Sequence, residues 1–140
     1  MKKLGLLLSL FLTAGIFLFC VQPVLAGPPP LPSGFYGKVK INGSNVPAGT
    51  VVSARVNGVQ YASTIVLTYL GDTVYSLDVP GDDPETVGII EGGVEGDTVV
   101  FFIGTTQTTQ IGTWQSGTNV NLNLSGSTGQ ITIFLPLVIH

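Results

Sequence analysis

Apolar and polar positions alternate along most of the chain after Phe35. Phe35, Val39 and Ile41 fall on one side of the first run, and Tyr36, Lys38 and Lys40 on the other. Val52, Ala54 and Val56 alternate with Val51, Ser53 and Arg55 in the second. A period of two puts successive side chains on opposite faces of an extended chain, so each run predicts a strand with one buried face. Asn57-Gly58 supplies two residues that accept positive φ, which predicts a type I′ hairpin turn after the second strand. The same reading predicts further strands over 59–68, 73–79, 98–103, 108–114 and 119–124. Gly71-Asp72 is the expected turn into the fourth strand, and Pro80 its expected end. Tyr75, Leu77 and Val79 are predicted to point inward. So are Val120, Leu122 and Leu124, with Asn119, Asn121 and Asn123 facing out. The stretch 98–103, TVVFFI, is continuously apolar and predicts a central strand covered on both faces. No stretch keeps a 3.6-residue period over the length of a helix. The expected fold is therefore all-β, an antiparallel sandwich or barrel of seven to eight strands.

Two segments fall outside this pattern. Residues 1–26 carry Lys2 and Lys3, then a long apolar run, then Val24-Leu25-Ala26. That order predicts a secretory signal peptide cleaved after Ala26. Residues 27–33, GPPPLPS, predict a stiff, extended Pro-rich spacer. The folded domain is expected over 34–126, and 127–140 is read as a C-terminal apolar strand or tail.

Composition narrows the function. The only cysteine, Cys20, lies in the signal segment, so the exported chain is expected to hold together without disulfides. After residue 26 there are three Lys/Arg against eight Asp/Glu, a net charge of −5 with His140 neutral. That balance argues against nucleic acid as a partner and disfavours anionic partners in general. The predicted location is outside the cell or at its surface.

The run from Gly37 to Ala54, the strand Tyr75 to Pro80 (YSLDVP), Gly96 to Ile103, and Trp114 to Leu124 resemble prealbumin-like sandwich modules. These include the carboxypeptidase regulatory-like domains of secreted bacterial surface proteins. The resemblance covers about 35–124 and rests on strand and turn motifs. It implies an Ig-like or prealbumin-like sandwich, a carbohydrate-binding-like fold, and a non-enzymatic role as a spacer, adhesion or glycan-facing module.

The side chains offer three candidate chemistries. Nucleophilic catalysis of the Ser/His/Asp kind needs a histidine within the fold, and the one histidine is terminal, so no catalytic residue is assigned. Asp78, Asp82, Asp83 and Glu85 lie within eight residues on a Gly/Pro loop and are candidate calcium ligands, since hard cations take several oxygens from a bendable loop. The competing reading is a solvated acidic loop in which Asp82 or Asp83 closes an Asx-turn ahead of Pro84. Tyr36, Tyr61, Tyr69 and Trp114 are candidate stacking surfaces for sugars, with Asn119, Asn121 and Asn123 as a hydrogen-bonding ladder. The competing reading puts Trp114 in the core. Expected partners are a cell-surface protein or a glycan, and the stretch from Ile131 to Leu135 is a candidate for strand pairing with a neighbouring chain.

Overall fold

The computed structural model describes residues 27–129. The proposed signal segment and the strand-pairing stretch from Ile131 to Leu135 lie outside the described residues. Ten strands follow one another: β1 (Ser33–Ile41), β2 (Ser44–Asn45), β3 (Val51–Val56), β4 (Val59–Ile65), β5 (Leu67–Tyr69), β6 (Asp72–Val79), β7 (Thr98–Ile103), β8 (Thr106–Thr113), β9 (Asn119–Asn121) and β10 (Leu124–Gly126). The fold is all-β. The strands form one sheet in the order β4-β3-β7-β8-β10-β1-β6-β5, with β2 and β9 also on β1, and the sheet curls until it nearly closes into a barrel.

The expected alternation is present where it was clearest. Phe35, Val39, Val52, Ala54, Val56, Tyr75, Leu77, Val79, Val99, Phe101 and Ile103 are all buried in one core. Phe101 lies edge-on to Phe35 at 5.1 Å between ring centroids, and to Tyr75 at 6.4 Å. Asn57 and Gly58 take φ of 51° and 82°, as a type I′ turn requires.

Five details differ from the sequence reading. The stretch 59–68 is two strands, broken at Val66. The Val66 N–H donates to the Thr50 carbonyl and the Val66 carbonyl accepts from Gly49 N–H, while its side chain is fully buried. The chain thus leaves the β3 edge and joins β6. The turn into β6 is Leu70-Gly71, with φ of 49° and 84°, so Asp72 already belongs to the strand. The stretch 119–124 is also two strands, and both run parallel to β1, so the sheet is mixed rather than wholly antiparallel. Val120 stands opposite Phe35, on the inward parity as expected, yet is left 37% exposed. Strand β7 is central, but its outer side chains Val100 and Phe102 are half-buried, and Arg55 lies over the Phe102 ring at 4.3 Å. Finally, the Pro-rich segment is anchored at its end. Ser33 is already in β1, and Gly117 N–H reaches the Leu31 and Pro32 carbonyls at 3.4 and 3.2 Å.

The crossing from β9 to β10 happens over Gly37. A Cβ there would meet the Leu122 carbonyl oxygen at 2.5 Å, a backbone approach that only glycine allows. Leu122 N–H donates to the Tyr36 carbonyl at 2.7 Å and its carbonyl accepts the Tyr75 hydroxyl at 2.8 Å, which ties the crossover to β1 and β6.

Candidate functional site

The pairing registers lay out the outer face of β9, β1, β6 and β5 row by row. Asn119, Gly34 and Asp78 share one row, and Asn121, Tyr36 and Ser76 the next. Lys38, Val74 and Leu67 form a third, and Asp72 stands opposite Tyr69. Because the inward partners of these positions fill the core, parity commits every side chain in the rows to solvent. Tyr36 is 40% exposed and Tyr69 65%.

These rows enclose an open groove of about 620 Å³ lined by Tyr36, Lys38, Tyr69, Val74, Ser76 and Asn121, with Asn123 at its end. Its polar groups divide in two. Lys38 N–H donates to Asn123 Oδ1 at 2.8 Å, and the Lys38 ammonium lies 2.7 Å from Asp72 Oδ2. That ammonium holds the Asp72 carboxyl below the usual carboxylate range. Tyr75, at the floor, is committed to the Leu122 carbonyl, and burial pushes its phenol well above the ordinary tyrosine range. The hydroxyls of Tyr36, Tyr69 and Ser76 and the amide of Asn121 are left to face the groove. The arrangement can stack a flat, hydroxylated ring on tyrosine and hydrogen-bond its edge.

The other sequence candidates lie elsewhere. Trp114 is 2% exposed and belongs to the core, so it offers no stacking face. Its Nε1–H donates to the Val79 and Pro80 carbonyls at 3.0 and 3.1 Å. Gly81 and Gly93 pack directly on its ring and fasten the loop after β6 to the barrel. Tyr61 is half-buried on β4, and its hydroxyl points to the Ile90 carbonyl at 3.4 Å. Asn119 stands beside Gly34, one row beyond the groove.

The four carboxylates proposed for calcium are not brought together. Among the described residues no three His, Cys, Asp or Glu side chains stand close enough to share a metal ion. Asp78 is on the sheet face, while Asp82, Asp83 and Asp97 each accept a local backbone hydrogen bond. Asp83 Oδ1 accepts Glu85 N–H at 3.0 Å, an Asx-turn around Pro84. Asp82 Oδ1 accepts Glu91 N–H at 2.8 Å, and Asp97 Oδ2 accepts Val94 N–H at 3.1 Å.

Sequence reasoning did not include Lys38, Ser76 and Val74 in the site. Their outward parity was readable, but their distance from Asn121 and Tyr69 depends on which strands neighbour β1. No family model, curated protein or solved structure matches the chain.

Proposed function

We propose that this chain is a secreted, non-enzymatic interaction module that works at the cell surface or outside the cell, built as an Ig-like or prealbumin-like sandwich. The supporting observation is the groove on the outer face of β1, β5, β6 and β9, where aromatic and amide side chains point to solvent from strands whose other face closes the core. Rigid strands hold such groups in place without the entropy that ordering loops on binding would cost. The strand motifs at 37–54 and 75–80 support the sandwich type, and the segment 1–26 supports export.

A second, narrower reading is favoured by Tyr36, Tyr69 and Asn121 lining one groove: the module binds carbohydrate. A glycan array probed with the full chain tests both readings. Glycan binding that is lost in Tyr36→Ala and Tyr69→Ala, with melting temperatures unchanged, is the expected result. Array binding that survives both substitutions would place recognition on another face.

A further inference from the structure

Lys38 and Lys40 are the only lysines among the described residues, and they project from alternate positions of one strand onto one face. The remaining cation, Arg55, is on β3, stacked over Phe102. The net charge of the chain works against anionic partners in general, and both lysines flank a single region where that balance is locally reversed. That region is a notch of about 280 Å³ lined by Lys38, Lys40, Gln110, Asn123, Leu124 and Ser125. Lys38 and Asn123 also line the tyrosine groove, so notch and groove adjoin along these two residues.

The polar groups of the notch differ in what they have left to offer. Gln110 Nε2–H donates to Ser125 Oγ at 2.8 Å, and Gln110 Oε1 accepts Ser125 N–H at 2.7 Å. Asn123 Oδ1 is taken by the Lys38 backbone, and the Lys38 ammonium by Asp72. Among the described residues no carboxylate makes a contact ion pair with Lys40, although its charge, after that of Lys38, helps hold the Asp72 carboxyl low. An ammonium brings three donors and no acceptor, so it favours a group that is rich in acceptors and negatively charged. We infer that the ligand of this face is an anionic glycan, with neutral ring faces on Tyr36 and Tyr69 and a carboxylate or sulfate in the notch against Lys40. This rests on the carbohydrate reading above and adds the ligand's charge.

The test is calorimetric titration of the full chain with oligogalacturonate, a sulfated galactan oligosaccharide, and neutral cello- and xylo-oligosaccharides. At least one acidic probe should bind more tightly than the neutral ones, and added NaCl should weaken it. Lys40→Gln should reduce acidic binding about two- to fivefold, the range of a solvent-exposed charge pair, and leave neutral binding unchanged. Tyr36→Ala should reduce both. Equal binding of acidic and neutral probes, insensitive to Lys40→Gln, would overturn the inference and keep the carbohydrate reading. Binding of none of them would remove both.

Discussion

Two residues show how closely single positions are constrained. Gly37 lies under the β9–β10 crossover, with the Leu122 carbonyl where a Cβ would go. The obstacle is backbone and cannot rotate away. Gly37→Ala should therefore cost about 1–3 kcal/mol, as forced overpacking does, measured as a lower urea midpoint. Tyr75 is the second. Its buried phenol has a raised pKa, so the folded state holds its proton more tightly than the unfolded state does. The resulting stability is complete below the free tyrosine pKa, about 10, and is lost as the pH climbs from there towards the folded value. Denaturation midpoints followed upward from that pH should fall in the native chain, and Tyr75→Phe should flatten that fall. An unchanged slope in the variant would assign it to another group.

At the scale of elements, the loop between β6 and β7 is built with its polar groups inward. Asp82, Asp83 and Asp97 bond to loop backbone, while Val87, 93% exposed, joins Ile89 and Ile90 on the outside. Trp114 clamps the base of this loop through Gly81 and Gly93. The aliphatic side chains of the tip are mostly exposed and lie outside the core. Ile89→Asn with Ile90→Asn should shift stability by less than about 0.5 kcal/mol, as ordinary surface substitutions do. A loss several times larger in thermal unfolding would show that the tip is packed. Strand existence was legible at this scale because alternation is a local property: β1, β3, β6 and β7 lie within a residue or two of where the pattern puts them. The breaks at Val66 and after Asn121 were not legible. Both are places where an unbroken apolar alternation changes neighbour, and neighbour choice depends on long-range pairing that composition does not record.

For the molecule as a whole, the same division explains what could be read of the site. Outward parity of Tyr36 is visible in the sequence, and so is the Asn ladder. That Asn121 stands beside Tyr36 follows only from the parallel seating of β9 on β1. That Tyr69 joins them follows only from the break at Val66, which carries the chain from β3 to β6. Trp114 was misplaced among the stacking candidates because β8 ends at Thr113, where parity stops being a guide and the loop after β6 folds over the indole. Counting carboxylates in the acidic loop does not show that Asp78 stands on the sheet face, or that one oxygen each of Asp82 and Asp83 accepts a loop N–H. The account as a whole depends on the β1–β5–β6–β9 face being the surface that recognises a ligand. The most direct test is a ¹⁵N amide-shift titration of the full chain with oligogalacturonate. The account predicts shifts at Tyr36, Lys38, Lys40, Tyr69, Ser76 and Asn121, with the loop tip from Val87 to Ile90 unmoved. Shifts confined to that loop, or to the outer face of β3 and β7 around Arg55, would contradict it.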